Sequence, residues 1–111
     1  SIYWAIALKS TDQMIGTVVF NSINFNHYKG DISYDLNFHY WGKGIMLKAL
    51  KAVLRFSDEY LQLHRIQATV AIHNYKSIKL LERCEFYREG ILKNYEIINN
   101  QPCDYYMYSR V

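Results

Sequence analysis

A single proline, Pro102, occurs in the sequence, and no stretch has the composition of a linker, a repeat or a low-complexity segment. Cysteine is nearly as scarce. Cys84 and Cys103 form no Cys-x-x-Cys, and they have no metal-ligand spacing with His27, His64 or His73. No metal site is therefore expected. Free thiols in a reducing cytoplasm are the favoured reading, with one disulfide as the alternative. No apolar run is long enough to span a bilayer, and no charged-then-apolar leader opens the chain. Neither a membrane span nor a signal peptide is expected. Charge of one sign is also missing: the net charge of +3 comes from acids and bases scattered together. That describes an ordinary wet surface with at most a weak preference for anions.

Hydrophobic and aromatic residues, by contrast, are plentiful. Half of the 111 residues are hydrophobic, enough for one core, so residues 1–111 read as one domain. The eleven tyrosines raise the possibility of a base-stacking RNA-binding sheet. No strand carries the basic-Gly-aromatic signature of such a sheet, and strand propensity accounts for the tyrosines. Nucleic acid is not an expected partner.

The apolar period changes once from two to helical and then alternates. Ile2 to Lys9 and Met14 to Phe25 read as strands, with a bulge or bend at Asn21-Ser22. After turn-like Asn26 to Gly30, a third strand runs from Asp31 to Phe38, giving an antiparallel meander. From Lys43 to about Leu61 the apolar residues recur at helical spacing. His64 to Ile72 is again strand-like and can lie parallel to the third strand after a helical crossover. Asn74 stands where a helix N-cap is expected, before a helix through Ser77 to Arg83. Phe86 to Ile98 and Tyr105 to Val111 close the chain as strands around a turn at Asn99 to Pro102. The order is βββ-α-β-α-ββ, an α/β chain of mostly antiparallel strands with one central parallel pair.

Between the third strand and the first helix lies His39-Tyr40-Trp41-Gly42-Lys43-Gly44-Ile45-Met46. A Gly-x-Gly turn opening a helix leaves N–H groups unpaired at the positive helix end, and glycine lets an anion approach the backbone. A plain tight connection is the competing reading of this turn.

Order and motifs together resemble the GNAT superfamily of acetyl-CoA-dependent N-acetyltransferases, and within it the RimJ/RimL-type group. The superfamily phosphate loop reads Gln/Arg-x-x-Gly-x-Gly/Ala, and His39 to Gly44 fits at all but its first position. Ile32 to Leu36 leading into Tyr40 to Gly44 is typical of the RimJ/RimL-type group. So are Asn74-x-x-Ser77 with Leu80-Leu81-Glu82, then Phe86, Glu89-Gly90, and Asp104 with Tyr108-Ser109. The family's opening strand and helix pair, which help shape the acceptor side, have no counterpart here. The chain therefore reads as the C-terminal part of a longer family domain.

The resemblance implies acetyl-CoA as cofactor and direct attack by a primary amine: a protein N-terminus, a polyamine, an amino sugar or an antibiotic amine. It implies that N–H groups of Trp41, Gly42, Lys43, Gly44, Ile45 and Met46 face the pyrophosphate, with Lys43 adding charge or merely solubility. The pantetheine arm would run along Leu36, Asn37 and Phe38, with a backbone N–H near Leu36 polarising the thioester carbonyl. Asn74 would contact the cofactor arm, cap its helix, or do both. Many relatives carry a tyrosine as leaving-group acid where this chain has Leu81, which cannot donate a proton. Ser77 is then the plausible donor, or else a plain first-turn serine. Some relatives carry a glutamate base where this chain has Phe38. Asp35 and His39 remain as candidate bases, Asp35 alternatively as a cross-strand partner and His39 as a cover for the loop. The family commonly has glycine at the position of Glu85, so this helix end either keeps a left-handed residue or is rearranged. A homodimer through tyrosines of the terminal hairpin is a family expectation. A domain that binds coenzyme A or a protein without turnover is the alternative function.

Overall fold

The computed structural model describes residues 1–111 and has the expected element order. Strands β1 (Ile2–Ala7), β2 (Met14–Asn24) and β3 (Lys29–Leu36) form the antiparallel meander. The β2–β3 register slips between Phe20 and Ser22, so the bulge falls on Asn21. Helix α1 (Ile45–Phe56) continues into one π-helical turn, Ser57–Leu61, and leads to β4 (Arg65–Ala71). Helix α2 (Tyr75–Arg83) then precedes the hairpin of β5 (Tyr87–Ile98) and β6 (Gln101–Arg110). The sheet order is β1-β2-β3-β4-β6-β5, and only β3 and β4 are parallel.

That one parallel pair is short. Lys29, Gly30 and Asp31 pair with Arg65, Ile66 and Gln67, and beyond them β3 and β4 separate. The sheet is therefore forked at the carboxyl ends of its two central strands, where ligands of such folds are generally found.

Strand alternation sends Val18, Phe20, Ile32, Ile66 and Tyr108 to one face, where they pack in one cluster with Leu50 and Leu54 of α1 and Ile78 and Leu81 of α2. Both helices thus cover the same face. The opposite face carries a polar chain across the strands. Ser22 Oγ donates to Asp31 Oδ2 at 3.0 Å, Gln67 Nε2 to Asp31 Oδ1 at 2.6 Å, and Arg65 Nε to Gln67 Oε1 at 2.9 Å. Arg65 also grips Glu89 with two bonds of 2.8 and 2.7 Å, and Ser109 Oγ donates to the same carboxylate at 2.5 Å. The Arg65 and Ser109 bonds hold Glu89 down at about 2, from an ordinary 4.5. A lowered carboxylate stabilises the fold above its unfolded pKa and loses that contribution as pH falls through the folded one. Stability should therefore drop between pH 4.5 and about 2, and Glu89→Gln should flatten that limb in urea melts at graded pH.

Element boundaries shift where long-range pairing decides. Lys29 and Gly30 read as turn, yet they are strand because β4 pairs with them. The closing turn is Asn99-Asn100 alone, both at positive φ (51° and 62°), as a two-residue hairpin of the primed type requires. Gln101 and Pro102 already belong to β6, opposite Ile98 and Ile97. Pro102 is tolerated because β4 pairing begins only at Tyr105, leaving one side of β6 open there.

The end of α2 keeps the left-handed turn despite lacking glycine: Glu85 sits at φ +67°. Its N–H donates to the Glu82 carbonyl at 3.1 Å, and the Phe86 N–H to the Leu81 carbonyl at 3.0 Å. This is a Schellman closure, with Phe86 and Leu81 both buried beneath it. A side chain in that conformation costs about 1 kcal/mol. Glu85→Gly should accordingly raise stability by roughly that amount, read as a higher urea midpoint at unchanged m.

Candidate active site

The loop between β3 and α1 is built from caps and left-handed glycines. Asn37 ends β3: its N–H donates to the Ile15 carbonyl at 2.8 Å, and its Oδ1 accepts from the His39 N–H at 3.0 Å. Its carbonyl accepts from the Tyr40 N–H at 2.9 Å. The result is one 3₁₀ turn, Phe38–Tyr40. These Asn37 groups are engaged within the chain, where they cap the end of β3.

The Trp41 N–H is engaged as well, donating to the Phe38 carbonyl at 3.2 Å, and its indole Nε1 donates to the Leu36 carbonyl at 2.7 Å. From Gly42 onward the pattern changes. The first helical bond of α1 runs from the Lys48 N–H to the Gly44 carbonyl at 3.2 Å, and no backbone bond begins at the N–H groups of Gly42 to Leu47. Gly42 and Gly44 both have positive φ, +76° and +74°, and a Cβ on either would meet nothing within 4 Å. Free donors, a helix's positive end and open space together make an anion cradle. Met46 contributes its backbone there while its side chain is buried in the core.

Leu36 lies beside this cradle at the fork. The bond from Asn37 to Ile15 makes Leu36 and Gly16 a non-bonded pair of the antiparallel ladder. The Leu36 N–H therefore points away from β2, into the gap left by β4. Phe38 is exposed and packs on His39, ring centroids 4.1 Å apart. Asp35 is exposed on β3 opposite Thr17, and alternation puts its side chain on the face without helices.

The other arm of the fork is the start of α2. Asn74 Oδ1 caps the helix, accepting from the Ser77 N–H at 3.2 Å. Ser77 also meets the chain across the gap: its Oγ is hydrogen-bonded to the Tyr34 hydroxyl, which lies 3.4 Å from the Ser77 carbonyl as well. Burial pushes the Tyr34 hydroxyl up to about 12, with the Ser77 bond opposing. Nearer the rim, the Lys76 ammonium sits over the Trp41 ring, 4.9 Å from its centroid, and Lys43 lies 5.6 Å from that of Tyr40. Leu81, one turn beyond Ser77, is wholly buried and takes no part in the fork.

Ser77, Asn74, Leu36 and the glycine loop thus converge on one cleft. Asp35 leaves it by the opposite sheet face, and His39 is at its exposed rim. Tyr34 and Lys76 were not among the expected site residues. Alternation groups Tyr34 with Ile32 and Leu36, but its partner is 43 residues away. A groove of about 550 Å³ lies at the other end of β3 around Ser22, Asn24, Lys29 and Gln67, away from the glycine loop.

The Acetyltransferase (GNAT) domain family matches residues 1–87, a stretch holding the entire fork. The chain belongs to the GNAT acetyltransferase family. An uncharacterized N-acetyltransferase, p20 of Bacillus licheniformis, is 39% identical over 106 residues, covering 96% of this chain and 60% of that protein. The crystal structure of ribosomal-protein-S5-alanine acetyltransferase from Vibrio fischeri is 34% identical with a TM-score of 0.93, covering 98% of this chain and 60% of that one. A ribosomal L7/L12 alpha-N-protein acetyltransferase in complex with coenzyme A matches at 28% identity and a TM-score of 0.86, covering 90% of this GNAT chain and 56% of its own. The chain thus spans somewhat over half the length of these relatives. Acetyl-CoA is the acetyl donor of the GNAT family, and a loop of open glycines and unpaired N–H groups is chemically suited to its pyrophosphate.

Proposed function

We propose that this chain binds acetyl-CoA through the backbone of Gly42 to Met46 and transfers the acetyl group to a primary amine by direct attack. The observation that carries the reading is the run of unpaired N–H groups from Gly42 to Leu47 at the mouth of the fork. Acetyl-CoA supplies an activated thioester; the rest falls to residues of the chain. The Leu36 N–H, aimed into the gap, polarises the carbonyl. Asn74 positions the start of α2 and, with Ser77, flanks the thiol end. Ser77 Oγ donates to the departing sulfur, aided by the positive end of α2. Asp35 or His39 relays the amine proton to water, Asp35 from the uncovered sheet face and His39 from the loop rim. With Cys84 and Cys103 both free thiols, a reducing cytoplasmic setting suits the chain. β5 is a sheet edge with exposed Tyr87 and Tyr95, where a second copy would pair to form a dimer.

The acceptor class follows the relatives: a protein N-terminus first, a small amine second. Incubation with acetyl-CoA and a panel of an alanine-initiated peptide, a serine-initiated peptide, spermidine and an aminoglycoside should release coenzyme A thiol with one of them. A non-catalytic coenzyme A-binding domain is the second reading, favoured by the burial of Leu81 where relatives carry a donor. Binding without thiol release from every amine would decide for it.

A further inference from the structure

We infer that Tyr34 is a positioning residue for acetyl transfer, its hydroxyl donating to Ser77 Oγ so that the serine's own proton turns into the fork. This rests on the reading of Ser77 as the donor to the leaving thiol, and goes beyond it by assigning what aims that donor.

The geometry follows from the split sheet. Tyr34 lies three residues past the last parallel pair, on the same face as Ile32 and Leu36. Its side chain spans the gap from β3 to the first turn of α2 and ends on Ser77. Each hydroxyl has one proton to give. If Ser77 gave its proton to Tyr34, the phenol would have to donate to the Ser77 carbonyl, 3.4 Å away and at the long limit of a hydrogen bond. A phenol is far more acidic than an aliphatic hydroxyl and is the better donor of the pair, so the phenol donates to Oγ. An oxygen that accepts such a bond becomes a better donor, and the Ser77 proton is left free. The Ser77 N–H is held by Asn74, so the residue is fixed from both sides. The burial that raises Tyr34 to about 12 keeps its proton in place at any ordinary assay pH.

During transfer the amine nitrogen bonds to the carbonyl carbon, the carbon–sulfur bond breaks, and sulfur takes the electron pair. Ser77 passes its proton to sulfur. The proton lost by the amine, relayed to water by Asp35 or His39, returns from water to the serine oxygen. Tyr34 keeps its own proton throughout.

The test is a double-mutant cycle of Tyr34→Phe and Ser77→Ala, assayed by thiol release from acetyl-CoA with the amine panel above. Tyr34→Phe should lower kcat on the order of tenfold and leave KM for acetyl-CoA and the melting temperature near those of the wild type. In the Ser77→Ala background it should lower kcat no further. Ser77→Thr, which keeps a hydroxyl, should remain sensitive to Tyr34→Phe. An unchanged kcat for Tyr34→Phe beside an impaired Ser77→Ala overturns the role of Tyr34 alone. So does an equal additional loss in the Ser77→Ala background, since that would be a packing effect. Wild-type turnover in Ser77→Ala overturns the donor role of Ser77 and this inference with it. Absence of wild-type turnover with every amine overturns the enzymatic reading itself.

Discussion

Gly44→Val should abolish the thermal stabilisation of this chain by acetyl-CoA while leaving the chain folded. The two halves of that expectation have separate causes. Folding survives because a side chain at residue 44 would meet no atom of the protein within 4 Å. Its cost is conformational: a non-glycine residue at φ +74° loses about 1–2 kcal/mol, against a total stability of roughly 5–15 kcal/mol. Binding is lost because the new side chain projects into the space where an anion must approach the N–H groups of Gly42 to Met46. At a ligand concentration about 100 times Kd, binding stabilises the native state by about 2.7 kcal/mol, a shift readily seen in a melt. Gly42→Val, at φ +76° with equally open surroundings, should behave in the same way. The check is a melting curve with and without acetyl-CoA for wild type and both variants. A full shift in the variants would remove the cofactor from this loop. Absence of a shift in the wild type would defeat the cofactor assignment for the chain.

Phe86→Ala should cost about 3–5 kcal/mol of folding stability, the largest effect expected outside the loop. Phe86 is 1% exposed and follows the left-handed Glu85 directly. Its backbone N–H closes the Schellman turn on Leu81, while its ring fills the core where α2 returns to the sheet. Truncation removes the buried ring and leaves a cavity that the surrounding strands cannot close. Urea unfolding gives the measurement. A loss below about 1 kcal/mol would mean that the core at the end of α2 collapses freely, and that the Schellman turn does not depend on the ring.

Much of this architecture is legible locally. The change from period two to helical period at Lys43 marks α1, and Asn74 marks the start of α2, because both signals lie within a few residues of the element they define. The glycine loop is legible for the same reason: φ preference is a property of the residue itself. The limits of α1 are less legible. Its apolar spacing extends from Lys43 to Leu61, whereas the helix proper begins at Ile45, after a left-handed Gly44. It gives way at Ser57 to a π turn, which apolar spacing does not distinguish from α-helix.

The candidate base Asp35 and the positioning residue Tyr34 divide along the same line. Asp35 and Tyr34 are neighbours in sequence, and alternation alone says that they face opposite ways. Which of the two meets a helix depends on which face the helices cover, and that is settled by packing. Tyr34 therefore reaches Ser77, and Asp35 faces the uncovered side.

The sequence by itself determined the order of elements, the glycine loop at the head of α1, the cap at Asn74 and the family these features resemble. Each is written in contiguous residues, through side-chain period, φ preference or short-range hydrogen bonding. Tertiary structure alone decided how far β3 and β4 stay paired and where Tyr34 and Lys76 end up. Those outcomes join residues dozens of positions apart. They follow from strand register and a shared core, which no local pattern encodes.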